Sequence, residues 1–278
     1  KKILFLHHNF PGQFKSLSTH CAEKGHDVVF LTEKNHIGSI SGIKHRIVNT
    51  ENSKLSPSFQ GQLQCAERFQ KALQELKDEN WIPDVVISHT GWGCGLDAIL
   101  IFPSAKRIAY FEWWFQDQSD NYTFDPKNEW IKYPDELRLL MRRRNLTLAQ
   151  EMAEADYIVT PTNWQKGQLP NTFKTNTTII HEGVNTSYFV PNESWKPKDK
   201  LRVTYATRGM EPMRGFPEFI GGIKQVLRQY EQVEVIVAGD DRVVYGSNKP
   251  PQGSFGRWAQ CELNQFIKNK RVIFTGHL

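Results

Sequence analysis

Two arginines flank a short turn in the last third of the chain, just before a segment with the pattern of a helix. Arg208 and Arg214 follow a predicted strand and precede Phe216, where the helical pattern begins. A guanidinium offers planar, paired N–H donors that match phosphate oxygens, and a helix N-terminus adds partial positive charge. The pair therefore predicts a site at which both side chains bind one diphosphate. A salt bridge to Glu211 is the alternative for either arginine alone.

A carboxylate stands among aromatic residues at the end of another predicted strand. Glu112 is followed by Trp113 within the run Phe-Glu-Trp-Trp-Phe. Carboxylates accept hydrogen bonds from hydroxyl groups, and aromatic rings offer flat apolar faces on which sugar rings pack. Glu112 and Trp113 are therefore candidates for carbohydrate binding. The alternative is an aromatic cluster in the protein core.

A histidine also ends a predicted strand, next to a glycine-rich turn. His89 is followed by Gly91, Trp92 and Gly93. Its imidazole could donate a hydrogen bond to a sugar hydroxyl, or it could cap the helix that follows. The sequence leaves both roles open, and Trp92 is a further candidate for contact with a sugar.

Two other loops follow predicted strands and carry glycine. Gly12 lies in the loop after the first strand, and Gly239 precedes Asp240 and Asp241 later in the chain. The first loop opens a helix and could bind an anion, although a single glycine does not make a Gly-x-Gly-x-x-Gly dinucleotide motif. The carboxylates after Gly239 could contact a ribose or base, or could cap a turn.

The sequence predicts neither a metal site nor a cofactor. No Asp-x-Asp pair occurs, so chelation of Mg²⁺ or Mn²⁺ by such a pair is disfavoured. Four scattered cysteines, Cys21, Cys65, Cys94 and Cys261, have neither zinc-site nor disulfide-scaffold spacing. With no signal peptide pattern at the start, we expect a protein of the reducing cytoplasm.

The elements that must position these residues alternate between strand and helix along the whole chain, which predicts parallel sheets. Apolar runs predict strands at residues 3–6, 27–31, 85–87, 107–111, 157–159 and 178–180, and again at 201–206, 233–238 and 272–274. Helical patterns cover residues 14–22, 63–76, 137–152, 216–227 and 255–267. The predicted fold is α/β, with two Rossmann-like, doubly wound parallel sheets.

The alternation is interrupted once, by a polar, proline-containing segment. We predict a first Rossmann-like domain at residues 1–190, a linker at 191–200 and a second Rossmann-like domain at 201–278. The second domain has only three predicted strands, so it is expected to be incomplete.

Composition excludes several classes of protein. Hydrophobic residues make up 39% and charged residues 23%, which is typical of globular domains and excludes collagen-like and disordered chains. Apolar stretches are too short to cross a membrane. The net charge of +5 suits an anionic ligand or membrane surface and does not require nucleic acid. Arg142, Arg143 and Arg144 form either a solvated helix face or a contact with phosphate or lipid headgroups.

Three motifs together resemble glycosyltransferase family 4. The Phe-Pro-Gly-Gln-Phe run at 10–14 is similar to the opening of a bacterial subgroup of that family. Gly-Val-Asn at 183–185, followed by Phe189 and Pro191, is similar to the Gly-Val-Asp, Phe, Pro stretch before the interdomain linker. Residues 208–216 resemble the loop whose arginine and lysine bind the donor's diphosphate. The resemblance spans nearly the whole chain.

This resemblance implies a GT-B fold of two facing Rossmann-like domains and retaining, metal-independent transfer of a sugar. The donor would be a nucleotide sugar, and the acceptor a glycan or lipid-linked glycan at the inner face of a membrane. By position, Arg208 and Arg214 would hold the diphosphate and stabilise the leaving group. Gly12 would approach the same phosphates, and Gly239 with Asp240 would lie in the nucleotide pocket.

The same resemblance implies which residues would bind the acceptor, and it shows where this sequence departs from the family pattern. Glu112 stands where many members place a histidine facing the sugar, and His89, Trp92 and Trp113 would lie near the acceptor. Arg214 replaces the family's lysine, and Asn185 its aspartate. The family's two glutamates are expected beyond Phe274 and are absent from this chain, so we expect little transferase activity from it alone.

Two other functions remain open. A sugar-nucleotide epimerase of GT-B fold would need carboxylates that shuttle protons, for which Glu112 and Asp117 are candidates. A non-catalytic, two-lobed sugar- or nucleotide-binding protein would use the same aromatic-rich surface for binding alone.

Overall fold

The structure is a computed structural model that describes residues 1–35, 37–48, 58–116, 128–131, 135–194, 200–245 and 249–278, with the backbone alone for residue 137. Its described residues divide into two compact units. The first lies within Lys1–Asp117 and Asp135–Asn185, and the second within Gln118–Pro134 and Thr186–Leu278. Residues 195–199 of the predicted linker, and Asp117, lie outside the described residues.

The first unit is built on a parallel sheet. Its strands are β1 (Lys2–Leu6), β2 (Asn9–Phe10), β3 (Asp27–Thr32), β4 (Lys34–Asn35), β5 (Ile43–Ile47), β6 (Val85–His89), β7 (Lys106–Tyr110), β8 (Tyr157–Thr160) and β9 (Thr177–Ile179). Among the described residues, seven of them form one sheet in the order β5-β3-β1-β6-β7-β8-β9, and β2 pairs with β4 separately. Every pair is parallel, and the order reverses direction at β1. This arrangement confirms the predicted doubly wound sheet.

Helices alternate with these strands along the chain, and the 20-residue helix among them carries buried apolar side chains every three or four residues. They are α1 (Lys15–Glu23), α2 (Phe59–Asp78), α3 (Ala98–Ile101), α4 (Asp135–Arg143), α5 (Asn145–Ala153), α6 (Asn163–Gln168) and α7 (Asn171–Lys174). On α2, Phe69, Leu73 and Leu76 are fully buried in one core cluster with side chains of β1 and β3. Burial of such a side chain stabilises the fold by about 1.5–3 kcal/mol. Ser58 starts α2 by accepting a hydrogen bond from the Gly61 N–H at 3.1 Å.

The second unit has its own sheet and core. Strands β10 (Leu201–Ala206), β11 (Val233–Ala238) and β12 (Val272–Gly276) pair in parallel in that order among the described residues. Helices α8 (Phe216–Gln229), α9 (Phe255–Glu262) and α10 (Asn264–Lys268) pack around it. Trp130 packs against the ring of Phe255 at 5.3 Å, so residues 128–131 belong to this unit although they precede α4 in sequence.

Two predicted helices are each divided in the structure. Residues 137–152 were expected to form one helix, but α4 ends at Arg143 and α5 begins at Asn145. The Asn145 side chain there bonds the peptide of Phe115, accepting from its N–H at 2.9 Å and donating to its carbonyl. The helix predicted at 255–267 is interrupted at Leu263, between α9 and α10.

None of the helices that the structure describes combines the length and the apolar character that crossing a lipid bilayer demands.

Candidate functional site

Neighbouring strands of the first unit bring several polar side chains to one edge of the sheet. Strands β1, β6, β7 and β8 are adjacent and parallel, so the residues that follow their carboxyl ends lie side by side. His7 follows β1, His89 ends β6, and Glu112 comes two residues after β7. Gln165 lies in α6, which follows β8.

Hydrogen bonds join these residues into one network around the carboxylate of Glu112. Its Oε2 accepts from His89 Nε2 at 3.1 Å and from Gln13 Nε2 at 3.2 Å. The backbone carbonyl of Glu112 accepts from Gln165 Nε2 at 3.0 Å. The Glu112 side chain is 42% exposed, so the anchored carboxylate still faces solvent.

The same bonds determine where the two imidazoles carry their protons. The Gly91 N–H donates to His89 Nδ1 at 3.1 Å, which leaves His89 Nε2–H as the donor to Glu112. The Asn9 N–H donates to His7 Nδ1 at 2.8 Å, and His7 Nε2–H then donates to the side-chain oxygen of Gln13 at 2.8 Å. His89 therefore caps the turn at Thr90–Trp92, one of the two roles left open, and also presents a donor at the sheet edge.

His7 is a neutral imidazole at physiological pH. Burial of the ring and, to a lesser degree, the neighbouring His89 lower the pKa of His7 to about 3. The two rings meet edge to face, with centroids 4.9 Å apart. Position 12 requires glycine, because an added Cβ would lie 2.6 Å from the His7 ring. Its φ of +50° is also one that other residues rarely adopt. Contact of Gly12 with phosphate stays a prediction.

The aromatic run beside Glu112 is divided between surface and core. The ring of Trp113 lies 5.2 Å from that of Trp164, at the start of α6, while Trp114 packs against Phe173 and the core. Trp92 stacks on His8 at 4.6 Å with the ring planes 20° apart, so one of its faces is occupied by protein. Trp113 and Trp164 are thus the aromatic pair next to the Glu112 network.

In the second unit, both predicted arginines lie beside one tyrosine ring. The guanidinium carbon of Arg208 is 5.2 Å from the centroid of Tyr245, and that of Arg214 is 5.8 Å from the same centroid. Arg208 also donates a hydrogen bond to the Tyr245 hydroxyl at 2.6 Å. Arg214 ends a short 3₁₀ turn at Pro212–Arg214, and α8 begins two residues later.

A fully buried glutamate fixes this arrangement. Glu211 Oε2 accepts hydrogen bonds from the backbone N–H groups of Val244 and Tyr245, the latter at 2.7 Å. Glu211 Oε1 lies 3.3 Å from Arg214 Nε, so the salt bridge left open by the sequence is formed by Arg214. The contact uses Nε, which carries one of the five N–H donors of the guanidinium, and the two Nη atoms carry the other four.

The residues after β11 have structural partners of their own. A Cβ at Gly239 would lie 1.8 Å from the Thr207 carbonyl oxygen, so only glycine allows this approach. The Asp240 carboxylate lies 3.3 Å from Arg242 Nε, and Asp241 accepts from the Gly256 N–H at 2.8 Å at the start of α9. Roles of Gly239 and Asp240 in nucleotide binding stay predictions.

Sequence reasoning placed His7 and Gln13 in a possible anion-binding loop but gave neither a role beside Glu112, and it missed Trp164 and Tyr245. Gln13 and Glu112 are far apart in the chain, and the order of strands that brings them together is not visible in either segment. The signal that could have found His7 and Gln13 is their place in the loop after the first strand, a position where parallel sheets bind ligands.

Comparisons with known proteins agree with the fold. A family model described as the glycosyl transferase family 4 group matches residues 24–189, which is more than half of the chain. Among curated proteins, no match to the chain is found.

Solved structures resemble the whole chain at low sequence identity. WaaG, a glycosyltransferase involved in lipopolysaccharide biosynthesis, has a TM-score of 0.60 at 15% identity, covering 100% of this chain and 70% of its own. The catalytic domain of starch synthase IV from Arabidopsis thaliana, bound to ADP and acarbose, has a TM-score of 0.63 at 12% identity, covering 100% and 74%. TcCGT1 in complex with UDP has a TM-score of 0.56 at 10% identity, covering 100% and 73%.

The parallel sheets and these likenesses define the class of the fold, which is the α/β architecture of GT-B glycosyltransferases. The chain belongs to the glycosyl transferase family 4 group. Its class of activity is therefore the transfer of glycosyl groups from nucleotide sugars.

Proposed function

We propose that the protein is a retaining, metal-independent glycosyltransferase that moves a sugar from a nucleotide-sugar donor to a glycan or lipid-linked acceptor. The observation that carries this proposal is the position of both guanidiniums, Arg208 and Arg214, within 6 Å of the Tyr245 ring centroid. Two permanent cations beside one ring, close to a helix start, form a site that suits the two phosphates of a nucleoside diphosphate.

The two arginines act on the leaving group. When the bond between the anomeric carbon and the diphosphate breaks, negative charge builds on the departing phosphate oxygens. The guanidiniums stabilise that charge without a metal ion, which is electrostatic catalysis of the departure step. The acceptor oxygen bonds the anomeric carbon on the face that the diphosphate leaves, and its proton passes to a phosphate oxygen. TcCGT1 and starch synthase IV, of the same fold class, bind UDP and ADP, respectively.

The Glu112 network supports the acceptor side of the proposal. A carboxylate held by Gln13 and His89 accepts hydrogen bonds from sugar hydroxyls in a fixed orientation. The rings of Trp113 and Trp164 offer apolar surface for a sugar ring next to that carboxylate. Binding of this kind orients a hydroxyl for attack, and the acceptor needs no metal contact.

Product analysis tests this function. The protein is incubated with single nucleotide sugars and candidate acceptors, with and without EDTA, and release of nucleoside diphosphate is measured. Because little transferase activity is expected from this chain alone, the proposal expects slow release. That release depends on both substrates, resists EDTA, and yields a product whose anomeric configuration, read by NMR, matches that of the donor. Inversion of configuration or complete inhibition by EDTA would contradict the proposal.

Epimerisation of the sugar nucleotide is the second candidate, favoured by the contact between Glu112 and His89 at 3.1 Å. A carboxylate beside an imidazole is a suitable acid–base pair for moving a proton. The same assay separates the two functions, because an epimerase changes the donor when no acceptor is present.

We also propose that α4 lies on an anionic membrane surface. Leu139 and Leu140 are 60% and 52% exposed, and Arg142 and Arg143 are exposed on the same helix. Exposed leucines inserted among lipid headgroups, with arginines beside them, are typical of amphipathic helices that lie in the membrane interface. Such contact would bring the protein to a lipid-linked acceptor.

A further inference from the structure

Two buried cysteines of the first unit lie in contact, outside the Glu112 network. Cys65 is on α2 and Cys94 follows the turn at Thr90–Trp92, and their sulfur atoms are 3.7 Å apart. Both belong to the core cluster between α2 and the sheet. Because 28 residues separate them in sequence, the contact is a product of the tertiary fold.

Charged and polar groups make the two thiols unequal. His8 lies near the Cys65 thiol and favours its charged form, and His8 Nδ1 is hydrogen-bonded to Glu33 Oε2 at 2.7 Å. The hydrogen bond from Cys94 lowers the pKa of Cys65, which outweighs the opposing effect of burial. Burial raises the pKa of Cys94 well above its ordinary value. The lowered pKa favours the thiolate at Cys65 over that at Cys94, so we assign the first attack to Cys65.

We propose that Cys65 and Cys94 form a site of reversible oxidation, at which hydrogen peroxide converts the thiol pair to a disulfide. The Cys65 thiolate attacks one peroxide oxygen and becomes a sulfenic acid, while the other oxygen leaves as water after protonation. The Cys94 sulfur then attacks the Cys65 sulfur, and a second water leaves. Two thiols and one peroxide thus give one disulfide and two waters.

The distance and the burial decide how this reaction runs. Side-chain rotation must bring the sulfurs from 3.7 Å to the length of a disulfide, about 2.05 Å. Both thiols are buried, so peroxide reaches them through local opening, and the reaction is slower than alkylation of the exposed Cys261. The sulfenic acid is short-lived, because the second thiol already lies in contact with it.

The disulfide would join α2 to the segment that carries His89 and Trp92. Trp92 stacks on His8, and His8 Nδ1 is hydrogen-bonded to Glu33 Oε2. Arg68 Nε donates a hydrogen bond to the other oxygen of that carboxylate, Glu33 Oε1, at 2.5 Å. Apart from Trp92, this cluster differs from the residues placed in donor or acceptor binding, and the oxidation is tested without any measurement of sugar transfer.

A variant that keeps only this pair tests the proposal. The variant Cys21→Ser/Cys261→Ser is treated with hydrogen peroxide and then denatured in guanidinium with N-ethylmaleimide, which alkylates free thiols. Its intact mass is measured by mass spectrometry. We expect the mass to fall by two hydrogen atoms with no maleimide adduct, and two adducts to return after dithiothreitol. The wild-type protein is digested in parallel, and we expect a peptide in which Cys65 and Cys94 are linked.

Two controls make the outcome decisive. Cys94→Ser in the same background leaves Cys65 alone, and we expect peroxide to add oxygen there without forming an intramolecular disulfide. Melting curves of each variant establish that it is folded before oxidation. Two maleimide adducts after prolonged peroxide treatment would overturn the proposal. So would oxygen located by peptide mapping on Cys65 or Cys94 of the two-thiol variant in place of the disulfide, or linkage through Cys21 or Cys261 in the wild type.

Discussion

Glu112 owes its orientation to side chains from separate loops. Gln13 and His89 both donate to Oε2, and each is oriented in turn, Gln13 by His7 and His89 by the Gly91 N–H. Two donors at Oε2 fix the direction of this carboxylate. The chain therefore prepares an acceptor of hydrogen bonds before a sugar binds.

Glu112→Gln tests the role of that charge. Hydrogen bonds to charged groups contribute about 1.5–3 kcal/mol, so we expect the transfer rate at low acceptor concentration to fall at least about tenfold. Affinity for a nucleoside diphosphate should stay unchanged, because the arginines belong to the other unit. The exposed Glu23→Gln on α1 is the matched control. Equal rates for Glu112→Gln and wild type would contradict the assigned role.

His7 makes stability depend on pH in a defined direction. Its pKa is about 3 in the folded protein and ordinarily about 6.5, so below pH 6.5 the unfolded chain binds a proton that the folded chain does not. We expect this residue to reduce stability by about 1.4 kcal/mol per pH unit as pH falls from about 6.5 towards 3, and to have no effect above that range.

Urea unfolding of wild type and His7→Gln measures this effect. The stability of wild type relative to the variant should decrease between pH 7 and pH 5, while the exposed His20→Gln control should not show that decrease. Parallel pH profiles for wild type and His7→Gln would show that His7 is not buried as a neutral ring.

At the scale of elements, the ends of β10 and β11 approach each other closely. Gly239 has a φ of +129°, and an added Cβ would lie 1.8 Å from the Thr207 carbonyl oxygen. We expect Gly239→Ala to destabilise the second unit by at least about 1–3 kcal/mol. Gly253→Ala is the matched control, because its φ is +85° but a Cβ there meets nothing within 4 Å. Equal melting temperatures for Gly239→Ala and Gly253→Ala would contradict the steric argument.

The exposed face of α4 is tested by vesicle sedimentation. We expect Leu139→Glu/Leu140→Glu to lose binding to vesicles containing anionic phosphatidylglycerol, because two inserted apolar side chains become like-charged with the surface. Leu100→Glu is the control, since Leu100 is 75% exposed on a different helix, α3. Equal binding by both variants would assign the membrane contact elsewhere, and no binding by wild type would exclude it.

Most elements could be predicted because buried parallel strands are short apolar runs. Strand β5 was missed because its middle residues, Lys44, His45 and Arg46, are polar, and only Ile43 is buried in the core. The break between α4 and α5 carries neither glycine nor proline and depends on Asn145 bonding the distant Phe115. Such long-range polar contacts leave no local pattern.

At the scale of the whole molecule, each unit carries its own chemistry. The arginine pair could be predicted because both residues belong to one short loop, whereas Tyr245 and the buried Glu211 contact depend on a second loop. The residues of the Glu112 network come from loops that follow several different strands. Individual members could be predicted from the sequence, but the hydrogen bonds between them could not. The class of protein could be predicted from the family resemblance, because each motif lies in one continuous segment of sequence.

Calorimetric titration with UDP, ADP and GDP tests the central claim most directly. The account predicts that wild type binds at least one of them, and that Arg208→Ala and Arg214→Ala each weaken binding about tenfold to 100-fold. Arg228→Ala, an exposed arginine at the end of α8, should bind as wild type does. Undiminished binding by both Arg208→Ala and Arg214→Ala, or no binding of any nucleotide by wild type, would contradict the assignment of the arginine pair to the donor's diphosphate.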